Sequence, residues 1–173
     1  MEVDVLEVLK SSPPFSALGE EVLAGLVPHL EVRVYPRGAY AFRQGQKGLG
    51  VLFLVASGTA EVTVTDEHHR ETVVGYRRRG DFFGETALFT GRTYGGSVRA
   101  AEDMACLLIP QRKVEELIAG HPEFASFFTA LLSERLRLLY AEAVARQPYE
   151  AYGAAESTPF RKRVSEIMTW SPV

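Results

Sequence analysis

Along the first ten residues, Val5, Leu6, Val8 and Leu9 fall on roughly one side of a helix, and Pro13 and Pro14 stop its continuation. Ser16 is placed to cap a second helix, with Glu20 and Glu21 in its first turn and Leu18, Val22, Leu23, Leu26 and Leu30 at helical spacing. From Glu31 to Ile109 the period changes. EVRVY (31–35) and AYAFRQG (39–45) alternate, GVLFLVASG (50–58) is a continuous apolar run of the kind buried on both faces, and TAEVTVT (59–65) alternates again. DEHHRE (66–71) is a polar hairpin tip, TVVGYR (72–77) a further strand, and SVRAAED (97–103) and MACLLIP (104–110) two more. Short strands at regular spacing with turn signals between them predict an antiparallel barrel or jelly roll.

The last part is helical in pattern. QRKVEELIAG (111–120) reads as a short helix stopped by Gly120 and Pro122, and residues 123–147 as a long one. In the long helix Phe124, Phe127, Phe128, Leu131, Leu132, Leu138 and Leu139 form an apolar face broader than one small barrel needs, which predicts a homodimer through this helix. The bland alternative is packing onto the chain's own barrel. Residues 148–163, with mixed polarity and Pro and Gly, read as a linker.

Composition narrows the function. The chain has 173 residues, 46% hydrophobic and 24% charged, which suits one globular domain with a sizeable core. A net charge of -3 gives no general attraction to nucleic acid or anionic lipid. MEVDVLEVLK lacks the pattern of a signal peptide, and no apolar run is long enough to span a membrane, so a cytoplasmic protein is the default expectation. The single cysteine, Cys106, lies in an apolar run and reads as a buried structural thiol. The four histidines are scattered, there is no HExxH, P-loop lysine or nucleophile elbow, and nothing supports catalysis.

One stretch carries chemistry: FFGETALFTGRTYGGSVRA (82–100). Gly84 allows a tight turn, Glu85 offers a carboxylate at the start of a short helical stretch, and Gly91 ends it. Gly95 and Gly96 leave backbone amides unshielded, as in an anion nest, and Ser97 adds a hydroxyl. Just upstream, Arg77, Arg78 and Arg79 alternate faces if extended and so cannot form one clamp; a solvated strand end is the expected role. Arg99 reads as a surface residue, and no partner is legible for Glu61 or Glu71.

With FSALGEEVLAGL, YPRGAYAFRQG, LGVLFLVASGTAEV and GDFFGETAL in that order, residues 1–147 resemble a cyclic-nucleotide-binding domain, and 82–100 its phosphate-binding cassette. The resemblance implies a mainly β fold, a double-stranded β-roll with flanking helices and a long C-terminal helix. It implies that Glu85 accepts a hydrogen bond from the ribose 2′-hydroxyl. It also implies that Gly84, Thr86, Gly95, Gly96 and Ser97 contribute to the ligand site. The family's cassette pairs an arginine with the cyclic phosphate, and the matching position here is Tyr94. A charge-assisted hydrogen bond contributes about 1.5–3 kcal/mol, so its loss weakens binding about ten- to a hundred-fold. Arg92, two residues earlier, is the candidate substitute. Gly95, where a threonine often accompanies guanine preference, points to cyclic AMP over cyclic GMP.

The residues after Gln147 number about 26, too few for the helix-turn-helix of the family's transcription factors, so no direct DNA binding is expected. VSEIMTWSPV (164–173) resembles the start of a CBS repeat, which implies a fragment of a longer regulatory protein with a downstream CBS domain. Three functions stand open at this point: a cyclic-nucleotide sensor module, a cyclic-nucleotide fold kept only for dimerisation or interaction, and a site for another anion such as a non-cyclic nucleotide.

Overall fold

The computed structural model describes residues 3–146. Helix α1, Val5–Ser11, starts at Asp4, whose carboxylate accepts the Glu7 amide N–H at 3.0 Å. Helix α2, Glu20–Leu26, follows Gly19, which supplies no side-chain cap. Ser16, expected to cap this helix, lies instead inside a single 3-10 turn, Phe15–Ala17. The reason is Phe15: it is fully buried, with its ring centroid 5.1 Å from Phe124 and 5.8 Å from Phe82, and that anchoring separates the segment from the helix behind it.

Eight strands follow: β1 (Glu31–Tyr35), β2 (Tyr40–Phe42), β3 (Val51–Ser57), β4 (Thr59–Thr65), β5 (Glu71–Arg78), β6 (Phe82–Phe83), β7 (Ser97–Ala100) and β8 (Met104–Pro110). They form two antiparallel sheets, β1-β8-β3-β6 and β2-β7-β4-β5, as the jelly-roll pattern predicted. The segment 39–45 contributes only three residues of strand, and 97–103 only four. β6 went unforeseen: two residues are too short to show a period.

The two apolar clusters explain the strand patterns. Phe53, Val55, Phe83, Met104 and Cys106 from the first sheet meet Phe42, Ala60, Val98 and Ala100 from the second, closing the inside of the roll. Leu52, Leu54, Phe82, Leu107 and Ile109 point the other way and pack with Leu9, Phe15, Leu23 and Phe124 from the helical layer. β3 is therefore buried on both faces, which is why its sequence is a continuous apolar run. Full burial of one such side chain contributes about 1.5–3 kcal/mol. Cys106 sits fully inside the roll, and burial pushes its thiol pKa up to about 12.

Helix α4, Gln111–Gly120, and helix α5, Pro122–Arg146, complete the described chain. One compact unit runs to Leu131. Within it Phe124 and Phe128 are buried and Phe127 and Leu131 partly buried against the helical-layer cluster, so this part of the expected apolar face is used by the chain's own core. In the second unit, from Leu132, Leu136 and Leu138 are exposed and Arg137 pairs with Glu134 at 2.6 Å. The linker and the CBS-like stretch 164–173 lie outside the described residues. No helix of the described residues is long and apolar enough to cross a membrane.

Candidate functional site

The site begins where β6 ends. Gly84 has φ 84° and ψ -1°, the left-handed conformation, and a Cβ built there would lie 3.0 Å from the Phe53 ring. Both facts select glycine. The turn delivers Glu85 as the first residue of helix α3, Glu85–Thr90, where its side chain is 5% exposed and its negative charge suits the helix N-terminus. Helix α3 bridges the two cores: Ala87 faces the roll interior and Leu88 the helical layer. Thr86 is exposed, and its carbonyl accepts the Thr90 hydroxyl at 2.7 Å.

The other half of the cassette is held by the loop before β3. Thr93 bridges Lys47, the Tyr94 amide N–H donates to the Gln46 carbonyl at 2.9 Å, and the Tyr94 carbonyl accepts the Gly45 N–H at 2.8 Å. The Tyr94 side chain turns into the roll. Its ring lies flat on Phe42, with centroids 3.5 Å apart and planes 7° apart, and its hydroxyl accepts the Leu49 N–H at 3.1 Å. Only 4% of the residue is exposed. Burial raises the phenol pKa above its ordinary value, and the Leu49 amide offsets this in part. Phe42 also touches Phe83, the residue before Gly84, at 5.8 Å, so both halves of the cassette meet over one aromatic cluster.

Gly96 packs against β4: a Cβ there would stand 2.7 Å from the Thr63 carbonyl oxygen, a clash with backbone. Ser97 is buried and its Oγ accepts the Gln44 N–H at 3.0 Å, while Gly95 is exposed. The structure thus gathers Gly84, Glu85, Tyr94, Gly96 and Ser97 around the end of the roll. It does not bring in Arg92, whose side chain is exposed and whose N–H rests on the Thr90 hydroxyl at 3.3 Å.

The charged residues nearby need three corrections. Glu61 has a partner: Arg99 holds it at 2.6 Å, directly opposite in register, with the Glu61 side chain 14% exposed. Glu71 accepts the Thr63 hydroxyl at 2.6 Å. The three arginines before the cassette are not one solvated strand end. Arg79 pairs with Glu7 of α1 at 2.7 Å and Arg78 is exposed, but Arg77 is half-buried. Each of these depends on strand register or on a contact distant in sequence, which no single stretch of residues reveals. Among the described residues no three His, Cys, Asp or Glu side chains converge as a metal site.

The arrangement offers a shielded carboxylate, backbone donors and one hydroxyl at the end of an apolar roll. Comparison with known proteins identifies the class. The family model described as the cyclic nucleotide-binding domain matches residues 32–121, and the chain belongs to that family. It is similar to the Homo sapiens cGMP-dependent protein kinase 2, 29% identical over 121 residues, covering 69% of this chain and 16% of the kinase. It is similar also to the cAMP-activated global transcriptional regulator CRP of Shigella flexneri, 28% identical over 120 residues, covering 69% of this chain and 57% of the regulator. Among solved structures, the Thermus thermophilus catabolite activator protein superposes with a TM-score of 0.69 at 31% identity, over 78% of this chain and 62% of that one. The match therefore spans less than two thirds of these relatives' own lengths.

Proposed function

We propose that this chain is a regulatory sensor module that binds a cyclic nucleotide, cyclic AMP in preference to cyclic GMP, and carries no catalytic activity of its own. The observation that supports the reading best is the left-handed Gly84 turn, which sets a buried Glu85 at the start of α3, in the same cassette segment as the glycine pair and the buried Ser97. Glu85 is suited to accept the ribose hydroxyl, and the amides around Gly95 and Gly96 to face the phosphate. Ligand binding then acts through α3. Leu88 lies in the cluster that holds α4 and the start of α5, and Phe89 meets Phe128 at 5.6 Å, so a shift of α3 biases those helices. The homodimer through α5 and a downstream CBS domain belong to the same proposal; they rest on the sequence pattern, with Leu136 and Leu138 exposed as apolar contributors. The transcriptional-regulator role in the name of one relative is not carried over to this chain.

The test is calorimetric titration of the purified chain with cyclic AMP and cyclic GMP, with Glu85→Ala as control. Micromolar binding, stronger for cyclic AMP and lost in the variant, is the expected result. A second reading, a fold kept for dimerisation or interaction without ligand, is favoured by one observation: Tyr94 is packed as a core residue where the family has its phosphate-pairing arginine. No heat up to millimolar ligand would decide for it.

A further inference from the structure

Each sheet has two edge strands, and three of the four are poor templates for a further strand. β6 has two residues, β2 has three and a register shift, and β5 is shifted in register against β4 and ends in Arg78. β1 has none of these features. Its five residues pair with β8 in unbroken register, from Glu31 opposite Leu108 to Tyr35 opposite Met104, and among the described residues no strand pairs with its other side. Leu30 continues it in extended conformation, with φ -92° and ψ 143°. Such an edge presents a row of backbone N–H and C=O groups to an added strand.

The two faces of β1 differ in chemistry. Val32 and Val34 stand opposite Leu107 and Ala105, which are fully buried in the helical-layer cluster, yet they are 41% and 52% exposed, so the helical layer stops short of this edge. Glu31 and Arg33 lie on the other face, opposite Leu108 and Cys106 of the roll interior. They pair with each other at 2.7 Å, with 59% and 42% of their side chains exposed, and both Arg33 bonds end on the same Glu31 oxygen.

This short sequence is complementary to itself when reversed. In an antiparallel two-fold pair centred on Val32, Val32 lies opposite the partner's Val32, Leu30 opposite the partner's Val34, and Glu31 opposite the partner's Arg33. One face then joins the exposed valines into an apolar stripe, and the other makes two opposite-charge pairs across the strands. Centring the pair on Arg33 instead would set two guanidinium groups against each other, so charge selects the register. We propose that β1 is a self-association edge, through which two copies of this chain join their first sheets strand to strand about Val32. The surface is separate from α5, and its use requires no ligand.

The test is disulfide trapping of the full chain with Val32→Cys under mild oxidation by glutathione. Directly opposite Cβ atoms lie about 4.5–5.5 Å apart, close enough to bridge. The native Cys106 is fully buried and does not compete. Val34→Cys is the register control: it is the more exposed position, but the proposed pairing separates the two copies of it by about 13 Å along the strands, beyond the reach of a disulfide. Val73→Cys, 42% exposed on β5, controls for chance encounters. The expected result is a linked dimer with Val32→Cys and about ten-fold less with either control. Adding Arg33→Glu or Glu31→Arg to Val32→Cys sets like charges opposite and should lower the trapped fraction about ten-fold, and mixing those two variants should restore it, because each then meets its opposite. Thermal melts check that every variant is folded. Trapping of Val32→Cys that does not exceed both controls overturns the proposal, and so does trapping that the charge reversals leave unchanged. Should Val32→Cys fail to fold, sedimentation of the otherwise native chain decides: association that neither charge reversal weakens, or that their mixture does not recover, overturns it equally.

Discussion

Tyr94 shows how much one side chain can reassign. Its backbone sits where the resemblance puts a ligand-binding arginine, but its ring is spent on Phe42 and its hydroxyl on the Leu49 amide. Tyr94→Phe keeps the stack and leaves that amide without its acceptor, so it should destabilise the fold by about 0.5–1.5 kcal/mol, read from urea unfolding. A variant as stable as wild type would mean that water replaces the hydroxyl. Gly96→Ala tests the close approach on the other side of the cassette. Its methyl would meet the Thr63 carbonyl at 2.7 Å, and because backbone cannot swing aside, a loss of about 1–3 kcal/mol is expected. The Gly84 turn and the short helix that opens at Glu85 were legible in the sequence, because a glycine at a tight turn and a carboxylate before a short helical stretch are local signals. The inward Tyr94 was only half legible, since a phenol in a glycine-rich loop can turn either way. The half-burial of Arg77 was not legible, because alternation says that three consecutive arginines change faces but not which of them is covered.

Among the elements, β3 carries the most. Leu54 is fully buried on the helical side and Phe53 fully buried on the roll side, so the strand holds both layers at once. Leu54→Ala should cost about 2–5 kcal/mol in denaturant unfolding, since neighbours on its own sheet and in the helical layer cannot all relax into the space. A cost under about 1 kcal/mol would show that the helical layer collapses easily onto the sheet. The longer strands and α4 and α5 were read correctly from alternation, from a continuous apolar run or from helical spacing, because each is long enough to show its pattern. The elements read wrongly are those decided by tertiary contact. Ser16 lost its capping role to the burial of Phe15, and β6 exists only because Phe82 and Phe83 find β3 on one side and opposite cores above and below.

At the scale of the whole roll, both sheets enclose weak acids that must stay protonated. Cys106 inside the roll is raised to about 12, and Tyr94 and Tyr35 are raised above their ordinary values, in each case mainly by burial. A group whose folded pKa lies above its unfolded value contributes its full stabilisation below the unfolded value and loses it as pH rises through the folded one. For Cys106 the window therefore opens near the ordinary thiol value of 9.0 and closes near about 12, with the two phenols joining from 10.0 upward. Within it the unfolded chain sheds protons that the folded chain keeps, and stability falls by up to about 1.4 kcal/mol per pH unit for each such group. Melting curves from pH 7 to 11 should be flat at first and then drop above about pH 9. Cys106→Ala should start less stable, for the volume it removes, and then lose stability more shallowly than wild type over the first part of that window. Parallel declines in the two proteins would show that the thiol titrates normally and that the roll admits water to its centre. The same enclosure predicts that Cys106 resists thiol reagents at pH 8 in the native protein and reacts once the chain is unfolded, because the thiolate is the reactive form and the closed roll suppresses it.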